Sequence, residues 1–286
     1  SALFMNIGRE IDKLGLVVQK GEEILTYSYK QFSEEHSNIP DELKVAILLY
    51  GQVIENIKGV YILLKNSSER CALSITRDLI ENTLYLKFIM DKKYFKKRAL
   101  AYYYSFFKDS LSYEEMLLSN RENGVKIREY INKELSDQGF EGVKQRRNAL
   151  KKVLEEERFN EIKNEWKRVK DEKMKEKKRW SYYPKWYELF EGSENIRQLA
   201  ISCDFRVEYD MLYGPYSRQV HSTNAMENYG GVNQGSQEAV LATRCFGLAA
   251  IEYYIDFFLP ELGEEYADWY IKEIDSDILT RLADKL

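Results

Sequence analysis

Apolar residues recur along most of this chain at spacings of three and four, the pattern of helices that bury one face. Between Asp41 and Leu64 they fall at Leu43, Ala46/Ile47, Tyr50, Val53/Ile54, Ile57, Tyr61 and Leu64. Pro40 precedes them, where the start of a helix tolerates proline. After Asn66-Ser67-Ser68 a second helix is predicted from Glu69 to Met90, apolar round much of its circumference and therefore central. A third is predicted from Lys93 to Leu118 and carries Tyr102, Tyr103, Tyr104, Phe106 and Phe107, a face suited to packing. Trp180 to Trp186 reads as a connection with Pro184 as breaker. Helices are then predicted from Ser193, as N-cap, to Cys203, and from Arg206 to Glu227 with a kink at Gly214-Pro215. A glycine-containing loop (Gly230, Gly231, Gly235), a strongly apolar helix capped by Ser236 and running to Leu259, and one or two short helices complete the chain.

The stretch from Glu141 to Arg179 differs in kind. Its apolar positions thin to Leu150, Val153/Leu154, Phe159, Ile162, Trp166 and Val169, a narrow seam suited to a long helix with one partner, as in a coiled coil. Residues 120 to 135 are the expected antiparallel partner, with Gly139 and Gly142 near the turn. The predicted fold is all-α: a helical bundle over 5–119 and 180–286, with a charged helical hairpin over 120–179 inserted as an arm.

Composition supports helix over sheet. Four prolines and 15 glycines in 286 residues are too few for a protein that must turn every eight to twelve residues. Cys71, Cys203 and Cys245 form no CxxC pair and their number is odd, which argues against a disulfide framework and fits a reducing compartment. With two histidines and scattered cysteines, neither a zinc site nor any other cofactor is expected. No run of about eighteen uncharged apolar residues, the length of a membrane span, occurs in the sequence. Cys245 to Pro260 comes nearest, is short, and contains Glu252 and Asp256. Ser1 to Phe4 lacks a basic leader and reads as an appendage before Met5. The cytoplasm is the default location, no membrane partner is expected, and the abundant tyrosine faces suggest a homo-oligomer.

Charge is distributed unevenly. Lys and Arg outnumber Asp and Glu by 15 to 9 between Glu141 and Arg179, and are outnumbered 28 to 38 elsewhere. Lys167 to Arg179 is densest, with eight basic residues against three acidic. Lys167, Arg168, Lys170, Lys173, Lys177, Lys178 and Arg179 are the candidate nucleic-acid contacts, because such a strip can follow a phosphate backbone and gain affinity from counterion release. Trp166 and Trp180 flank it, where they could stack on bases or anchor the arm by packing.

Two further groups carry candidate chemistry. Arg77 and Glu81 lie four apart on one face of the second helix among Leu73, Ile80 and Leu84, as an ion pair or as part of a site. Tyr209, Tyr213, Ser217 and His221 recur every four residues, so they form one stripe on an unbroken helix. An imidazole there could act as general acid or base, or sit as a hydrogen-bonded core residue. His36, in the polar run before Pro40, reads as solvated.

Ile75 to Glu81, with Arg77 and Glu81 as an Arg-x-x-x-Glu motif, resembles domain-of-unknown-function family 5677, a bacterial group. Trp186, Ser193 to Ala200, and the Tyr209, Tyr213, Ser217, His221 series resemble its second block. The resemblance covers about 45–90 and 180–230, leaves out the basic arm, and implies an all-α fold with the two motif helices adjacent and no established activity. The second block is also similar to the HEPN helical ribonucleases, whose Arg and His lie four to six residues apart; here Arg218 and His221 have two residues between them. No phosphate-binding loop, GxSxG elbow, HExxH or dinucleotide fingerprint occurs.

Two functions are therefore in play. One is a non-catalytic module that binds nucleic acid, RNA included, or a protein partner through the arm. The other, implied by the resemblance, is a metal-independent ribonuclease of a defence or toxin system. There His221 would be the base, Arg77 or Arg218 the phosphate ligand, Glu81 the orienting carboxylate and Ser217 a hydrogen-bond partner.

Overall fold

The computed structural model describes residues 6–132, 138–220 and 234–276. Among the described residues every regular element is helical: α1 (Ile7–Glu35), α2 (Asp41–Lys65), α3 (Glu69–Ile89), α4 (Phe95–Leu118), α5 (Glu122–Asn132), α6 (Gln138–Leu154), α7 (Asn160–Glu176), α8 (Ile196–Ser202), α9 (Arg206–Val220), α10 (Gln234–Phe258) and α11 (Gly263–Trp269). Three-residue 3-10 turns stand at Glu157–Phe159, Trp186–Glu188 and Pro260–Leu262, and a π turn at Tyr270–Ile274. The chain is all-α. Helices α2, α3 and α4 fall within two residues of the predicted spans; α1 had not been predicted.

Contacts divide the chain into two units, one from residues 1–93 with 195–286 and one from Tyr94–Glu194. In the first, α2 is the central strut, packing against α1, α3 and α10. Length and composition alone would let α2 cross a membrane, although half of its most apolar window is buried inside the protein, as in the core helix of a bundle. Val53, Ile57 and Val60 on α2 are completely buried, each burial favouring the fold by about 1.5–3 kcal/mol. The helices approach closely where glycine permits. A Cβ at Gly21 would come 2.5 Å from Ile54 Cδ1, and one at Gly247 would come 2.8 Å from Ile57 Cδ1. Tyr50 stacks on Tyr254 at 4.0 Å, and its hydroxyl donates to the Gly21 carbonyl at 2.9 Å. Asn195, rather than Ser193, caps α8, accepting from the Gln198 N–H at 2.9 Å. Helix α10 begins at Gln234, which places Ser236 inside its first turn, buried rather than capping.

The second unit is wider than the hairpin expected over 120–179, because α4 belongs to it. Helices α5, α6 and α7 all pack against α4, which is thus the partner of the narrow apolar seam. The long helix expected over 141–179 is broken into α6 and α7. Three consecutive carboxylates, Glu155, Glu156 and Glu157, follow the C-terminal end of α6, where the helix dipole disfavours negative charge. Phe159 then turns inward and is fully buried among Tyr103, Tyr104 and Phe107. Beyond α7 the chain closes on a strained turn. Phe190 and Glu191 have φ of 55° and 61°, a conformation costly without glycine. Arg98 holds the turn by donating twice to the Phe190 carbonyl, at 3.0 and 3.3 Å, while Glu165 accepts from the Phe190 N–H at 3.2 Å. Gly192 follows where a Cβ would lie 1.8 Å from the Tyr187 carbonyl oxygen, so no other residue fits.

Candidate functional site

In the first unit, α3 and α9 pack together and bring Arg77, Glu81 and Tyr213 into one hydrogen-bonded triangle. Arg77 Nε donates to the Tyr213 hydroxyl at 3.0 Å and to Glu81 Oε1 at 3.3 Å; the same hydroxyl donates to Glu81 Oε1 at 2.6 Å. A hydroxyl that accepts from a cation and donates to an anion makes two charge-assisted bonds, stronger than neutral ones. Tyr209, one turn earlier on α9, stacks on Tyr213 with ring centroids 4.5 Å apart. The Arg77 and Glu81 side chains keep about a quarter of their surface exposed, whereas Tyr209 and Tyr213 are buried.

The electrostatics follow from this packing. Burial, then the Glu81 carboxylate, pushes the Tyr209 phenol up to about 12. Burial and the bond to Glu81 push Tyr213 further in the same direction. The hydrogen bond to Tyr213 raises Arg77, and burial followed by the Glu81 charge raises neighbouring Asp78. At neutral pH the triangle is therefore a protonated phenol held between a fixed cation and a carboxylate. Among the described residues the two terminal nitrogens of Arg77 have no hydrogen-bond partner, so the outer edge of the guanidinium could still contact an anion.

Ser217 and Arg218 belong to the last turns of α9, where only the backbone is described, and α9 continues through Pro215 to Val220. His221 lies outside the described residues. Among the described residues no three His, Cys, Asp or Glu side chains gather as metal ligands would.

In the second unit the basic segment resolves into paired and unpaired cations. Arg168 is committed: it donates to both carboxylate oxygens of Glu165, at 2.7 and 2.9 Å, and to Glu172 at 2.8 Å. Its grip, with the Phe190 N–H, holds Glu165 below the usual carboxylate range. Lys173 and Lys177 both pair with Glu194. These three nominated cations already have carboxylate partners, which leaves them less charge to offer a phosphate than an unpaired cation has. Lys167, Lys170, Lys178 and Arg179 are exposed, and so is Lys175, which had not been nominated; among the described residues none of the five pairs with a carboxylate. The flanking tryptophans separate as well. Trp166 is buried beneath Tyr104 and Tyr183 and cannot stack on a base. Trp180, by contrast, exposes 94% of its surface.

Lys108 on α4 was missed by the sequence reading. Its ammonium lies 4.4 Å from the Trp166 ring centroid, 4.9 Å from that of Tyr183 and 5.8 Å from that of Tyr104. The one available signal was a lysine ending the aromatic run Tyr102 to Phe107.

The model of a family of unknown function (DUF5677) matches residues 43–238, a span that includes the Arg77 triangle and also the basic segment, which the motif resemblance had not reached. No curated protein and no solved structure matches the chain.

Proposed function

Because the chain belongs to this family of unknown function, DUF5677, membership assigns it no activity, and we propose that it is a non-catalytic helical module that binds nucleic acid through the segment from Lys167 to Trp180. The observation that carries the reading is the set of five exposed cations, Lys167, Lys170, Lys175, Lys178 and Arg179, unpaired among the described residues and adjoining an almost fully exposed tryptophan. A helix face that is merely solvated tends to pair its charges three or four residues apart, as Arg168 does with Glu165 and Glu172. Unpaired cations instead accumulate counterions, whose release drives binding to a polyanion. In the first unit, the closed bonding of Arg77 Nε, Glu81 and Tyr213 supports a structural role in tying α3 to α9.

The test is binding of a fluorescein-labelled oligonucleotide, followed by anisotropy at low salt. Changing Lys167, Lys170, Lys175 and Lys178 together to Gln should abolish measurable binding while preserving the helical circular dichroism. Equal binding by this variant and the unaltered protein would refute the reading.

One observation favours a second reading. The two motif helices do meet, with the outer edge of Arg77 without a partner among the described residues, as a metal-independent ribonuclease using His221 would require. RNA cleavage in the presence of a chelator, lost in His221→Ala without loss of thermal stability, would favour this enzyme over the binding module.

A further inference from the structure

The five exposed cations leave Lys108 unexplained. A lysine emerging from an aromatic core ordinarily lays its stem on the rings and carries its ammonium into water. Lys108 is held back. Its ammonium is half-buried among Tyr104, Trp166 and Tyr183, and among the described residues it has no ion-pair or hydrogen-bond partner. Asp109 is close enough to act on it electrostatically, yet the two form no ion pair. Lys170, one turn beyond Trp166 on α7, acts on it with the opposite sign: burial first, and then this second ammonium, lower the pKa of Lys108. Lys108 lies 4.4 Å from the Trp166 ring centroid and Lys170 follows Trp166 by one helical turn, so the two cations share one neighbourhood; like charges there repel, and an anion taken up beside them would relieve that repulsion. Tyr183, which supplies one wall of the cage, still exposes 60% of its surface, and Trp180 is three residues before it.

We infer that Lys108, Lys170 and Tyr183 form a subsite for one nucleotide of a single strand, with the phosphate between the two ammonium groups and the base on the exposed face of Tyr183. Trp180 stacks a neighbouring base. This rests on the nucleic-acid reading above and narrows it. A duplex keeps its bases stacked on each other and offers nothing to either ring, so single strands are the ligand and duplexes of the same sequence bind more weakly. The cation–π contacts give the site its fixed geometry: they hold the Lys108 ammonium at one place on the surface before any ligand arrives.

The experiment titrates the full chain with a fluorescein-labelled uridine oligonucleotide and with the matching duplex. Lys108→Met keeps an apolar stem against the rings and removes the charge; it should weaken single-strand binding roughly ten-fold or more, and Lys108→Arg should restore most of the loss. Tyr183→Leu should weaken binding roughly five- to a hundred-fold. Lys126→Met, which removes an α5 lysine already paired with Glu122, should change nothing. Binding of the unaltered protein that is untouched by both Lys108→Met and Tyr183→Leu overturns the subsite and leaves the broader reading standing. Duplex binding as tight as single-strand binding also overturns it. No binding of either oligonucleotide by the unaltered protein overturns both. If the variants unfold, tryptophan fluorescence of the unaltered protein decides: the oligonucleotide should quench it, and Trp180→Phe should remove the quenching. Absence of quenching by a bound oligonucleotide contradicts the proposal.

Discussion

The two units of this chain solve the same packing problem with different materials. The first is built round aliphatic helices: α2 and α3 bury Val53, Ile57, Leu79, Ile80 and Leu84 almost completely, and its tyrosines pair by stacking, Tyr50 of α2 on Tyr254 of α10 and Tyr209 on Tyr213. The second is built on rings meeting edge to face or at a tilt, with Tyr103, Tyr104 and Phe107 of α4 meeting Phe159 of the turn before α7 and, through Tyr104, Trp166 of α7. Their charges differ correspondingly. In the first unit Arg77 is closed on a carboxylate and a phenol, while in the second Lys108 rests on ring faces and five cations stand in solvent unpaired among the described residues. Aliphatic side chains can hold a buried charge only where it is paired, and where the first unit offers a ring it too seats a cation, with Lys87 3.7 Å from the Tyr253 ring centroid. An aromatic core also offers quadrupoles, so it can present a cation that remains electrostatically available.

The sharpest way to break the comparison is to empty the aromatic core. Phe159→Ala should cost about 3–5 kcal/mol and lower the melting transition reported by Trp166 fluorescence; a loss below 1 kcal/mol would mean that the rings do not form the second unit's core. Next in size is the triangle of the first unit. Tyr213→Phe removes a hydroxyl that bridges two charges and should destabilise by about 1–3 kcal/mol in chemical denaturation. A neutral result would show that Arg77 and Glu81 suffice alone.

The units should also fail at opposite ends of the pH range. Glu165 is held low by Arg168, so its contribution to the second unit is complete above the ordinary glutamate value of 4.5 and is lost as pH falls through its lowered folded value. Tyr209 titrates at about 12 in the fold against 10.0 when free, so its contribution to the first unit is complete below pH 10 and is lost as pH rises toward 12. Trp166 emission should move first on acidification. Phenolate absorbance should lag behind free tyrosine on the alkaline side, and an ordinary tyrosine titration would contradict the buried stack of Tyr209 on Tyr213. Smallest of all is the effect of the exposed lysines on stability. Gln at Lys167, Lys170, Lys175 and Lys178 should leave the melting temperature nearly unchanged, which separates their role in binding from any role in folding.

How much of this could be read from the chain varies with how local the cause is. Helices α2, α3 and α4 are legible because each joins an apolar stripe to recognisable boundaries. Helix α1 was legible too, since Ile11, Leu14, Val17/Val18, Gly21, Ile24, Ser28 and Phe32 keep the three-four spacing and Asn6, whose side chain accepts from the Arg9 N–H, caps its start, yet it was not among the expected helices. The Arg77–Glu81 pair follows from four-residue spacing. That Tyr213 would close it depends on α9 meeting α3, which spacing alone does not state. Neutralisation of Arg168 by Glu165 and Glu172 was available from the same rule. That of Lys173 and Lys177 was not, because Glu194 lies 21 and 17 residues further along and meets them only in the folded chain. The Lys108 cage was out of reach for the same reason, being assembled from α4, α7 and the strand of chain after α7.

Salt dependence tests the central claim most directly. Affinity for a single-stranded oligonucleotide, measured across a range of ionic strengths, should fall with a log–log slope of roughly three to four if five cations each displace counterions from a single strand. A slope near zero, or no binding even at the lowest salt, would contradict the assignment of the Lys167–Trp180 face to nucleic acid.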